Sequence, residues 1–110
     1  GACTVIVNGQ PIMSCDVSIG ALQGAEIETA EALDTEPAHP VLAELLAFQA
    51  GQCGYCLSGI AMRAKTMLEQ NETLDRAAIA AALDDHLCRC GSHNRVLDAI
   101  ESLFRKRQGA

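Results

Sequence analysis

The sequence predicts a mainly α-helical fold, a four-helix bundle preceded by a short β-hairpin. Two observations carry this. From residue 39 onward apolar residues recur at three- and four-residue spacing, whereas residues 1–33 hold a β-branched run closed by Asn8-Gly9. Between the two regimes stands Asp34-Thr-Glu-Pro-Ala38, a linker by composition.

Thr4-Val5-Ile6-Val7 reads as a strand, and Asn8-Gly9 is the strongest short signal for a hairpin turn. Gln10 to Ser14 forms the returning strand, which Pro11 confines to a sheet edge. Glu26-Ile27-Glu28-Thr29 alternates after Gly24 and is a further candidate strand. A hairpin alone is marginal in water, so this part must pack on something. Pro40 suits a first helical turn, with Val41, Leu42, Leu45 and Leu46 as one apolar face before Gly51 stops the helix. A second helix is expected from about Cys53 to Gln70, with Leu57, Ile60, Ala61, Ala64, Met67 and Leu68 facing inward. Thr73 is the expected N-cap of a third helix, with Asp75 in its first turn and Ile79, Ala82 and Leu83 inside. Ser92 is the expected cap of a fourth, striped with Val96, Leu97, Ile100, Leu103 and Phe104. Short connections between four helices suggest a small bundle. Their Leu and Met stripes read as core.

A chain of 110 residues, 49% hydrophobic, supports a small domain that a metal centre or partner would help to hold together. With no tryptophan, one tyrosine and two phenylalanines, its core is expected to be aliphatic. The net charge of −6 opposes a nucleic-acid partner. The basic run Arg105-Lys106-Arg107 ends a predicted helix, where it complements the helix dipole. No signal peptide is visible and no apolar run approaches a membrane span, so the expectation is a soluble, cytoplasmic protein.

Six cysteines in so short a chain also fit a secreted disulfide scaffold. Against that stand the close pairs, Cys53-x2-Cys56 and Cys88-x-Cys90, which are too tight to staple distant loops but keep sulfurs ready for a metal. The first pair brackets the start of the second helix; the second lies in the loop between the third and fourth. Two helix ends of a bundle can meet at one pole and bring four thiolates together. Helix N-termini offer free N–H groups that favour thiolates, and Gly54 and Gly91 keep side chains away while leaving N–H groups free to donate to sulfur. Four-cysteine zinc sites also use close pairs. A Cys-x-Cys arm on a helix–helix loop is less usual for zinc, so spacing favours an iron–sulfur centre and leaves a zinc-stapled interaction module as the alternative. A redox disulfide would call for a thioredoxin-like βαβ pattern, which is absent.

The stretches Gln52-Cys-Gly-Tyr-Cys56 and Leu87-Cys-Arg-Cys-Gly91, with 31 residues between the inner cysteines, resemble the second [2Fe–2S] domain of the xanthine dehydrogenase family, the molybdenum hydroxylases. The resemblance runs from His39-Pro40-Val41 through Ser92, His93, Arg95 and Val96. It implies that Cys53, Cys56, Cys88 and Cys90 ligate one [2Fe–2S] cluster at the end of a four-helix bundle, residues 39–110. Gly1-Ala2-Cys3-Thr4-Val5 resembles the tail of the plant-type ferredoxin motif C-x4-C-x2-C, and Cys15 matches its distant fourth cysteine. Residues 1–33 would then be the remnant of a ferredoxin-like (β-grasp) domain, joined by linker 34–38. Cys3 and Cys15 would be the last two ligands of a second cluster, which is expected only if the first two cysteines, lying ahead of residue 1, are supplied.

The same resemblance implies an electron-relay subunit beside a large molybdopterin-binding subunit, passing electrons to an FAD-binding subunit or a cytochrome-type acceptor. Such a complex is cytoplasmic, or periplasmic after co-export. Gln52 matches a glutamine that contacts the pterin; otherwise it is an ordinary helix-end residue. Arg89, inside the Cys-x-Cys pair, offsets thiolate charge, docks a partner or is simply solvated. Gly54 and Gly91 line the cofactor. His86 and His93 flank the second pair and would suit a Rieske-like site, but four cysteines already fill the coordination. His39 beside Pro40 reads as a capping or surface residue. No Ser–His–Asp set, phosphate loop or acidic dyad appears, so no catalytic residue is expected on this chain.

Overall fold

The computed structural model describes residues 1–70 and 74–109, with side chains through residue 106. Strand β1 (Thr4–Val7) pairs antiparallel with β2 (Gln10–Met13) and with β3 (Ile27–Glu28), in the order β2-β1-β3. Asn8 and Gly9 both take positive φ, 50° and 83°, as the tight hairpin turn requires. Pro11 lies opposite Ile6 on the edge strand, where its missing N–H costs no ladder bond. The expected third strand is present but only two residues long.

Helices α1 (Pro40–Ala47), α2 (Leu57–Glu69), α3 (Arg76–Ala82) and α4 (His93–Gly109) follow. Together with the sheet they enclose one aliphatic core. Ile6 of β1, Val41 and Leu45 of α1, Ile60, Met62 and Met67 of α2, Ile79 of α3 and Val96, Ile100 and Phe104 of α4 are all buried in it. The hairpin thus gains the support it needs by lying on α2. Lys65 of α2, buried to 7% exposure, reinforces this by donating to Glu28 of β3 at 2.9 Å and to Glu69 one turn along.

Several boundaries differ from the sequence expectation, each for a local reason. Helix α1 stops before Gly51. Gln49 takes the left-handed position (φ 49°), and the N–H groups of Gln49 and Ala50 return to the carbonyls of Leu46 and Leu45 in a Schellman cap. On the same helix Leu46 is 66% exposed while Glu44 is buried, so the inward face is rotated from the one expected. Helix α2 starts at Leu57, not near Cys53, because Gly54 at φ +81° turns the chain between the two cysteines. The cap of α3 is Asp75, whose carboxylate accepts from the Ala78 N–H at 2.8 Å. Thr73, the expected cap, lies outside the described residues. Ser92 does precede α4 and its carbonyl accepts from Val96, but its hydroxyl faces Cys88. His39 caps α1 as expected, its Nδ1 accepting from the Val41 N–H at 3.2 Å.

Candidate metal centre

The turn between α1 and α2 and the loop between α3 and α4 meet at one pole of the bundle. In the first, the Leu57 N–H closes on the Gly54 carbonyl at 3.2 Å, and the Tyr55 N–H donates to the Cys53 sulfur at 3.5 Å. In the second, the Gly91 N–H reaches the Cys88 carbonyl at 3.4 Å, with Gly91 at φ +76°. Gln52 ties the two together, its side-chain amide donating to the Cys90 carbonyl at 3.3 Å.

Across this junction the Cys53 thiol interacts with Cys90 and the Cys56 thiol with Cys88, and Cys88 also acts electrostatically on both Cys53 and Cys56. The thiols of the two segments therefore lie close enough to influence one another. Cys88 is the most acidic: the Ser92 hydroxyl at 3.3 Å, then the N–H of Ser92, draw its pKa down to about 6. The Tyr55 N–H, followed by Cys90, lowers Cys53. Burial raises Cys56, and its proximity to Cys88 adds to that.

A zinc site closes four donors on a single centre at about 2.3 Å. Four thiols at a junction rich in N–H donors could hold a zinc ion or a two-iron cluster.

Of the other expected residues, Gln52 lies exposed beside the thiols, and with Gln49, Gly91, Ser92, Asn94 and Arg95 it lines a polar cavity of about 420 Å³. Gly54 and Gly91 take positive φ, 81° and 76°, a backbone conformation that favours glycine, and the Gly91 N–H acts on the Cys88 sulfur. Arg89 is exposed on the loop. His86 is buried against Gly1, and His93 lies exposed at the first position of α4. The Ser92 contact to Cys88 goes beyond the cap that the sequence leads one to expect of this serine. Its place two residues after Cys90, directly past a glycine, was the available signal.

A second sulfur pair stands apart. The Cys3 and Cys15 sulfurs are 3.3 Å from one another on the exposed side of the sheet. The Cys15 N–H and thiol lower the Cys3 pKa, and that same contact raises Cys15. Ser14 anchors the pair, its N–H and hydroxyl reaching the Cys3 carbonyl at 3.2 and 2.8 Å.

Residues 29–101 match the family model described as a [2Fe-2S] binding domain. The chain belongs to this family. It is 40% identical to the alpha subunit of isoquinoline 1-oxidoreductase from Brevundimonas diminuta over 91% of this chain and 66% of the relative. It is 38% identical to a nicotinate dehydrogenase subunit of Pseudomonas putida over 98% of this chain and 69% of the relative. The chain thus spans about two thirds of the length of these relatives. Its fold is similar to that of aldehyde oxidoreductase from Desulfovibrio desulfuricans, with a TM-score of 0.89 at 27% identity over 99% of this chain and 12% of that one. Quinoline 2-oxidoreductase from Pseudomonas putida gives a TM-score of 0.84 at 28% identity over 94% and 68%. The resemblance to iron–sulfur subunits of the xanthine dehydrogenase family is borne out, and the zinc-stapled alternative finds no support.

Proposed function

We propose that Cys53, Cys56, Cys88 and Cys90 hold one [2Fe–2S] cluster and that the chain relays electrons inside a molybdopterin-dependent hydroxylase or dehydrogenase. The observation that carries this is the meeting of the two cysteine segments at one pole, tied by the Gln52 amide to the Cys90 carbonyl, in a chain of the [2Fe–2S] binding family. When bound, the cluster supplies one-electron storage and release.

The chain's own residues do the rest. Ser92 and Gly91 present O–H and N–H groups to Cys88 and Tyr55 its N–H to Cys53, which favours negative charge at those two sulfurs. Gln52 ties the two cysteine segments together through the Cys90 carbonyl, and in this reading its exposed amide meets the pterin of a large molybdopterin-binding partner. Arg89 offers a positive charge on the same rim. An FAD-binding subunit or cytochrome-type protein takes the electrons onward. No substrate-converting residue is assigned to this chain.

Cys3 and Cys15 supply two ligands of a second cluster, with residues 1–33 as part of a ferredoxin-like domain, 34–38 as its linker and 39–110 as the helical domain. Their 3.3 Å approach supports this reading. Among the described residues no helix is long and apolar enough to cross a membrane. We place the complex in the cytoplasm, or in the periplasm after co-export, on the strength of cysteines paired for metal rather than for disulfides. Purification of the chain with its partner subunits, followed by iron, sulfide and molybdenum analysis, tests the assembly. Isolation of a stable colourless monomer that binds no molybdenum-containing subunit would overturn it.

A further inference from the structure

Gly59 lies in the first turn of α2, three residues past Cys56, and is buried. Its helical backbone is one that any residue adopts, and a glycine inside a helix costs roughly 0.5–1 kcal/mol relative to alanine. A close approach explains it. A Cβ on Gly59 would lie 1.9 Å from the Gly1 carbonyl oxygen, 2.7 Å from its carbon and 3.3 Å from the Ala2 Cα. These are backbone atoms, which cannot swing aside as a flexible side chain does.

The segment seated there carries Cys3. The Gly1 carbonyl accepts from the Thr4 N–H at 3.0 Å and the Thr4 hydroxyl at 2.7 Å, closing a turn over Gly1–Thr4. The Ser58 hydroxyl, next to Gly59, donates to the Ala2 carbonyl at 3.4 Å. On the far side Ser14 grips the Cys3 carbonyl and sets Cys15 beside Cys3. The two sulfur groups are thus joined through Ser58 and Gly59 on α2, two and three residues past Cys56, which touch Gly1 and Ala2 of the turn that carries Cys3, and Cys3 in turn lies beside Cys15.

We propose that Gly59, assisted by Ser58, is a positioning residue that fixes the Cys3–Cys15 pair at a set distance from the four-cysteine pole. This rests on the reading that both groups ligate clusters, between which electron transfer falls off steeply with distance. The absent side chain at Gly59 sets that spacing, and Ser58 holds its orientation.

The test uses Gly59→Ala and Ser58→Ala in the assembled complex, with Ser58→Thr as the conservative control. The cluster-independent readout is amide hydrogen exchange. The Thr4 N–H should exchange about tenfold faster in Gly59→Ala and by a smaller factor in Ser58→Ala, return towards wild type in Ser58→Thr, and leave Ile60 and Met67 unchanged. The second readout is pulsed EPR coupling between the reduced pole cluster and a spin at the Cys3–Cys15 site, either the second cluster or, where that site takes none, a nitroxide on Cys15. The coupling should weaken in Gly59→Ala while the pole cluster keeps its own g-values. Thr4 exchange and coupling equal to wild type in both alanine variants would overturn the proposal. Should Gly59→Ala not fold, Ser58→Ala decides alone. A wild-type Cys3–Cys15 site that takes no cluster would count against the ligand assignment, and the nitroxide distance would still judge the role of Gly59.

Discussion

The Ser92 hydroxyl stands 3.3 Å from the Cys88 sulfur, and the two residues sit on either side of the Cys90–Gly91 bend. A serine in the cap position of a helix ordinarily turns its oxygen to its own backbone. Here the hydroxyl turns to sulfur instead, so one residue both starts α4 with its carbonyl and tunes the centre with its side chain.

Ser92→Ala removes that donor and leaves the four thiols in place. Hydrogen bonds to sulfur stabilise the more negative, reduced form. The midpoint potential should fall by about 40 mV, the equivalent of roughly 1 kcal/mol for a one-electron couple. An EPR-monitored redox titration measures it, and an unchanged potential would remove Ser92 from the set of tuning groups.

Gln52→Ala should leave iron content intact and slow the delivery of electrons to this chain. The side-chain amide bridges to the Cys90 carbonyl and is exposed on the rim assigned to the pterin-bearing partner. Rapid-mixing spectroscopy of the complex would follow substrate-driven cluster reduction. A rate equal to wild type excludes Gln52 from the path.

The helices and their inward stripes were legible because helical periodicity and aliphatic content report burial directly. Val41, Ile60, Met67, Ile79, Val96 and Ile100 all lie in the core as expected. Boundaries were less legible wherever a backbone conformation unusual for its residue decides them. Gln49 ends α1 in a left-handed conformation that nothing in its side chain announces, and Gly54 delays α2 past both cysteines. Leu46 misled because a helix face is set by what packs on it. Lys106 and Ser102 of α4 hold Glu44 inside, which turns Leu46 outward. At the centre, the cysteines were visible as spacing, but the Gln52 bond to the Cys90 carbonyl depends on how two loops meet across the bundle.

Glu44 gives a pH signature. The Lys106 ammonium, then Ser102, hold its carboxyl below the usual range near 4.5, against the opposing effect of burial. A carboxylate depressed in the folded state stabilises the fold above its unfolded pKa, and that stability is lost as pH falls through the folded pKa. The melting temperature of wild type should therefore drop more steeply than that of Glu44→Gln as the pH goes below about 4.5. Parallel slopes in thermal denaturation would contradict the ion pair's role.

Gln49→Gly should raise stability. A non-glycine residue at φ 49° carries a left-handed penalty of roughly 1–2 kcal/mol that glycine lacks. A gain of roughly 0.5–1 kcal/mol is expected by chemical denaturation, since glycine also loses more entropy on folding. A loss of stability would mean that the Gln49 side chain holds the cap.

The most direct measurement is metal and sulfide analysis with EPR on the Cys3→Ser/Cys15→Ser chain in its complex, repeated with each of Cys53, Cys56, Cys88 and Cys90 changed to Ser. The expected result is two irons, two acid-labile sulfides and one reduced-cluster signal per chain in the double variant, lost or weakened by every further substitution. One zinc without labile sulfide, or full iron and sulfide surviving all four further substitutions, would contradict the assignment.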